Sequence, residues 1–106
     1  MPKYLVQASY TAEGLKGLQK DKASGRKAAV SSAVEALGGK LESFYFAFGN
    51  DDVIAILDMP NNVNASALSL AVSSSGMVRT RTTPLLSVDD VDKALGMAAS
   101  YRPPGR

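Results

Sequence analysis

The 106-residue chain contains no cysteine and no histidine. Those two absences exclude disulfides, thiolate nucleophiles, imidazole general bases and the usual zinc ligands. A cysteine-free chain is compatible with a reducing compartment. No apolar run approaches the roughly 18 residues of a membrane span. The start, Met1–Val6, enters a strand pattern directly and lacks a signal peptide's apolar stretch, so cytoplasmic residence is the expectation. Charge of one sign is also scarce. The net charge is +2, with seven Lys/Arg against six Asp/Glu in residues 1–53 and five against four in 54–106. That even spread has none of the basic stripe that nucleic-acid or membrane-surface binding needs, so neither partner is expected. There is no Walker loop, dinucleotide glycine motif or metal-spaced set of carboxylates, and hence no call for a cofactor or metal.

What is present describes one globular domain. The apolar fraction is 45% and the charged fraction 21%, ordinary for a folded chain of this length. The domain is expected over residues 1–96, with 97–106 holding the end of the last helix and a loose tail around Pro103-Pro104.

Hydrophobic periodicity places the elements. Lys3–Tyr10 has strand composition. Thr11 caps a short helical turn carrying Leu15 and Leu18, and the polar stretch Asp21–Arg26 breaks it. A longer helix opening at Ser24 or Gly25 carries Val30, Ala33, Val34 and Leu37 on one face, and Gly38-Gly39 stops it. Strands over Lys40–Phe48 and Val53–Met59 flank Gly49–Asp52, where a tight hairpin with Gly49 at positive φ is expected. Asn64 is the expected N-cap of a helix whose buried stripe is Ala67, Leu68, Ala71 and Val72, ended by Gly76. Met77–Leu86, with its arginines and Pro84, suits an edge strand. Ser87–Asp90 forms a capping box for a final helix reaching about Ser100.

The order is βαββαβ plus a terminal helix. Right-handed crossovers and one hairpin fold that order into a four-stranded antiparallel sheet with helices on one face, the ferredoxin-like α+β arrangement. The strands carry a further message. Val53, Ala55, Leu57 and Met59 oppose Ile54 and Ile56. Phe44, Phe46 and Phe48 oppose Leu41, Tyr45 and Ala47. A sheet covered on one side only should alternate apolar with polar residues. These strands are apolar on both sides, so a second copy of the chain is expected to cover the face that the helices leave bare.

Three segments carry a resemblance. Pro2–Thr11, Leu37–Gly49 and Arg79–Leu86 resemble the bacterial GYD-domain family, named for a Gly-Tyr-Asp motif in the hairpin after the second strand. The likeness spans about residues 2–95. Here the motif is Gly49-Asn50-Asp51, so no role of the family's tyrosine ring transfers. The resemblance implies a dimeric α+β barrel in which two sheets pack face to face. It supplies no activity.

Candidate site residues are few, and each has a structural alternative. Asp51 or Asp52 in the hairpin is either a carboxylate at a pocket mouth or turn chemistry. Asp58 shares a face with Ile54 and Ile56, where an apolar setting would raise its pKa and suit a base, but it also sits at a strand end near water. Arg79 and Arg81 leave the same face two residues apart, fit to grip a small anionic ligand or to form ion pairs. Tyr10 and Tyr45 either offer hydroxyls to a ligand between the sheets or serve as core packing. Lys20, Lys22, Arg26 and Lys27 read as a solvated loop. The best-supported function is a homo-oligomeric binding or accessory module holding a small ligand between its sheets. The alternative is a cofactor-free enzyme, monooxygenase- or isomerase-like, that uses Asp51 or Asp58 as base with Tyr45, Arg79 or Arg81 steadying an anion.

Overall fold

The computed structural model describes residues 1–106. Its elements run β1 (Lys3–Tyr10), α1 (Ala12–Ala36), β2 (Lys40–Phe46), β3 (Val53–Asp58), α2 (Asn62–Ser74), β4 (Val78–Leu85) and α3 (Val88–Leu95). The strands form one antiparallel sheet in the order β2-β3-β1-β4, the ferredoxin-like arrangement with an added C-terminal helix. β1 and β3 are central. β4 is an edge strand, the place in a sheet that accommodates a proline such as Pro84.

Side-chain alternation sorts the sheet into two faces. β3 buries Val53, Ala55 and Leu57 beneath the helices and turns Ile54, Ile56 and Asp58 the other way. β1 follows suit with Tyr4 and Ala8 inward. The main core joins Tyr4, Val34, Leu57, Met59, Ala65 and Leu68. Burial of each large apolar side chain there contributes about 1.5–3 kcal/mol. α1 lies over β2 and α2 over β4.

β2 departs from simple alternation. A bulge between Leu41 and Ser43 puts two residues against one on β3, so Leu41 pairs with Leu57 and Ser43 with Ile56. Leu41 and Phe44 therefore pack on the same core, although the strand's parity assigned them to opposite faces. Phe46 meets Phe44 edge to face at 5.4 Å between ring centroids. Phe48 lies beyond the strand and is fully exposed, so it belongs to no core.

The helix boundaries differ from those the local sequence signals predict. The break expected within Asp21–Arg26 narrows to one residue, Lys22, at φ 67° and ψ 167°. Helical turns resume directly after it, so Ser24 and Gly25 lie inside α1. A lysine in that backbone region is strained by about 1–3 kcal/mol. Thr11 caps α1 as expected, accepting from the Gly14 amide at 3.2 Å. For α2 the cap is Asn61, not Asn64. The Asn61 side chain accepts from the Asn64 amide, while Asn64 donates to the Leu37 carbonyl at 2.9 Å and ties α2 to the end of α1. The three-residue shift moves the stripe: Ala65, Leu68 and Val72 face the sheet, and Ala67 and Ala71 face water. The capping box of Ser87 and Asp90 opens α3, which stops at Leu95 rather than Ser100.

α3 buries no residue, and Val88, Leu95 and Met97 are each more than two-thirds exposed. With the tail it stretches the molecule to 57 Å and the radius of gyration to 16.9 Å. A compact domain of this length measures about 13 Å.

The β2–β3 connection is a six-residue loop, 47–52, closed by the Ala47 amide on the Asp52 carbonyl at 2.9 Å. Gly49 does not adopt positive φ, and a Cβ there would meet nothing. Glycine is needed instead at positions such as Gly14, where a Cβ would run into the Met77 carbonyl oxygen. Gly14→Ala should therefore cost about 1–3 kcal/mol through forced backbone displacement. Gly49→Val should stay within about 0.5 kcal/mol. Urea unfolding of the two variants beside the parent checks both, and equal midpoints for Gly14→Ala and the parent would remove the close-packing account.

Candidate functional site

The sheet face away from the helices has an apolar middle and polar ends. Leu5, Ile54 and Ile56 stand in register on β1 and β3, with Tyr45 beside Ile54 on β2. Tyr45 is 69% exposed and Ile54 36%, so nothing in the chain covers them.

One end of this open face is an ion cluster. The Lys3 Nζ meets Asp58 Oδ1 at 2.8 Å and Glu42 Oε1 at 2.9 Å. Glu42 is the residue that the bulge adds, and its carboxylate meets Lys3 across the intervening β3. Asp58 is thus salt-bridged beside water rather than isolated among Ile54 and Ile56.

The other end is a shallow polar dish formed by Gln7, Ser9, Asp51, Arg79 and Arg81. Arg81 Nη2 holds Asp51 Oδ2 at 2.8 Å, and Gln7 donates to the same carboxylate at 3.4 Å. Ser9 Oγ lies 3.5 Å from the other Asp51 oxygen and from the Asn50 carbonyl. Arg81 is therefore already matched, and Arg79 has no acidic partner. Asp52 completes the attachment by accepting the Tyr10 amide at 2.8 Å while its own amide donates to the Ala8 carbonyl. Each of Asp51, Asp52 and Asp58 is held by a donor, and none stands free as a base.

Tyr10 and Tyr45 do not share a site. Tyr10 is in the helix-side register of β1 and lines a cleft between α1 and α2, whereas Tyr45 is on the open face. The two side chains leave the sheet on opposite sides, because Tyr45 is in register with Ile54 and through it with Gln7, which is an odd number of residues from Tyr10. That cleft is a feature the sequence did not announce. Its floor is Ala8, Val53 and Ala55, its walls include Ala29, Val30 and Val72, and Arg26 is the charged residue lining it. Arg26 reads in the sequence as one of four solvated cations; only the small residues on strand and helix hinted at empty space.

A family model, the GYD domain, matches residues 4–95. The chain belongs to the GYD-domain family. No curated protein and no solved structure matches it. In this GYD domain the motif residues act at long range rather than as a local turn. Asp51 fastens the loop to β1 and β4, and Asn50, in the tyrosine position, offers Ser9 only its backbone carbonyl. No helix is long and apolar enough to cross a membrane.

The Lys3 cluster sets a pH dependence. Hydrogen bonds that Lys3 donates to Asp58 first and Glu42 second raise its pKa above the ordinary lysine value, opposed by partial desolvation. With a raised folded-state pKa, the stabilisation is complete below the ordinary lysine value and fades as pH climbs through the raised one. Lys3→Met should therefore flatten the alkaline end of the stability profile. Parallel loss of stability above pH 10 in both proteins would detach Lys3 from that behaviour.

Proposed function

We propose that this GYD domain is a self-associating binding module, in which two copies pair through their open sheet faces and enclose a small anionic ligand at the polar dish. The observation that carries the reading is the uncovered apolar middle of the sheet, Leu5, Tyr45, Ile54 and Ile56. Water against such a contiguous patch is costly, and patches of this kind mark association sites. A two-fold axis makes the patch complementary to itself, so one kind of chain suffices.

Area refines the proposal. Four strands spaced about 4.8 Å apart and about seven residues long at roughly 3.3 Å each present on the order of 450 Å² in projection. A stable interface takes about 800 Å² from each partner. The second uncovered apolar surface, the stripe Val88, Val91 and Leu95 of α3, is the natural remainder of the contact. Within the paired sheets the dish would lose its water. Arg79, with Ser9 and Gln7 beside it, then becomes a strong point for one carboxylate or phosphate group.

Charges placed on the two faces separate assembly from folding. Ile54→Glu and Tyr45→Glu should give folded monomers by circular dichroism and sedimentation velocity, and Leu57→Glu should not fold, because it buries a charge in the core. A parent protein sedimenting as an 11.1 kDa monomer at micromolar concentration overturns the pairing.

The ligand has its own measurement. Inorganic phosphate or acetate should raise the melting temperature of the parent in a saturable way, by mass action on the native state. Arg79→Ala should lose that response. An equal response in parent and variant places the anion elsewhere.

A further inference from the structure

The cleft between α1 and α2 lies on the opposite side of the sheet from the proposed interface, so what it does stands apart from self-association. Three observations define it. First, the helices diverge: α1 lies mainly on β2, with a lighter contact on β1, and α2 on β4, so a gap opens between them above Ala8 and Ala55. Second, the floor under that gap is made small, with Ala8 and Ala55 on the central strands, so a cavity of about 130 Å³ remains. Engineered apolar cavities of about 150 Å³ stay dry and accept benzene. Third, the one charged group lining this apolar space is Arg26, and the Tyr10 side chain reaches the same region. Both residues also line the adjoining recess toward Gly14 and Gly17, so they stand where the deep cavity opens outward.

The polar groups at that opening are lightly engaged. Arg26 has a single acidic contact, Asp21 at 3.5 Å, long for a charge-assisted bond, with the Asp21 side chain 47% exposed. The Tyr10 hydroxyl has no hydrogen-bond partner in the chain, whereas the lining hydroxyls of Ser69 and Thr80 are bonded to Thr82 and Ser73. The strained backbone of Lys22 sits four residues before Arg26 and redirects the second part of α1, which brings Arg26, Ala29, Val30 and Ala33 to the cleft. Strain of that kind persists where the surroundings impose it, and it clusters at ligand sites.

We infer that the α1–α2 cleft binds a small amphiphilic acid: an apolar body of about one ring in the deep cavity, and a carboxylate held by the Arg26 guanidinium and the Tyr10 hydroxyl. The class follows from the lining. The apolar walls select a compact hydrocarbon, and Arg26, the one charged group lining the deep cavity, selects an anionic head, with Glu13 and Asp21 confined to the recess outside it. Asp21 is displaced from Arg26 when the head arrives, at little cost for so exposed a pair.

Phenylacetate, toluene and acetate are the probes, tested on the full chain by thermal shift and titration calorimetry. Phenylacetate should raise the melting temperature saturably and toluene should do so more weakly, whereas any acetate response should be the same in Arg26→Gln and Ala29→Leu as in the parent. Arg26→Gln should weaken phenylacetate binding by on the order of tenfold, the worth of one charge-assisted contact, with the toluene response kept. Ala29→Leu narrows the cleft from the exposed side of α1, where folding is not at stake, and should reduce both responses. Ile54→Glu should bind phenylacetate like the parent, whatever its state of association. Absence of any response to phenylacetate and toluene overturns the inference. So does a phenylacetate response unchanged in both Arg26→Gln and Ala29→Leu. A cleft occupied by the apolar stripe of α3 from a second copy gives a different overturning result: no phenylacetate binding by the parent, and binding that appears in Leu95→Lys.

Discussion

β3 has a hydrogen-bonded neighbour on each side and apolar side chains on both faces, and the rest of the molecule is arranged around that constraint. Its inner set, Val53, Ala55 and Leu57, draws the two crossover helices onto one face and so determines where α1 and α2 lie. Its outer set, Ile54 and Ile56, has no helix left to meet it. A chain with three helices, one of which buries nothing, cannot close both faces. With only 11 of 106 residues buried, much of the apolar content remains at surfaces that invite company. The same shortage appears on the inner face, where two helices over four strands leave a gap above the small residues of β1 and β3.

Polar chemistry in this domain is concentrated at the ends of the sheet. Lys3, Glu42 and Asp58 link the start of β1 to β2 and β3 at one end. Asp51 and Asp52 bind the hairpin loop to β1 and β4 at the other. Exposed ion pairs of this kind contribute little individually. Their importance is geometric, because they hold the rims of the open face while leaving its middle apolar. The GYD motif is part of that rim: its aspartate is a strut between loop and sheet.

The fold was legible in the sequence because it depends on periodicity. The alternation of Val53–Met59 located the central strand and both its faces, and Pro84 with the two arginines located the edge. The errors arise where a single residue changes the count. One extra residue at Glu42 reversed the parity expected within β2, so the face of Leu41 relative to Phe44 and Tyr45 came out wrong. Asn61 and Asn64 are equally good caps by type, and the choice between them depends on the Leu37 carbonyl 27 residues earlier, which local pattern does not contain. The site was less legible than the fold. Arg79 and Arg81 do leave one face, but the carboxylate that neutralises Arg81 comes from a loop 30 residues away. The cleft was invisible, since it depends on the separation of two helices rather than on any residue's own character.

The bulge at Glu42 also bears on how this strand can change length. Between Leu41 and Ser43 the ladder already accommodates one residue more than it needs, and the side chains on either side of that residue are in step with β3. Removing Glu42 would leave Leu41 opposite Leu57 and Phe44 opposite Ala55, with only the tie to Lys3 given up. Elsewhere in the sheet, losing a residue inverts everything that follows it. Among related chains, β2 is therefore the strand where an alignment can open a one-residue gap and the core still reads in frame.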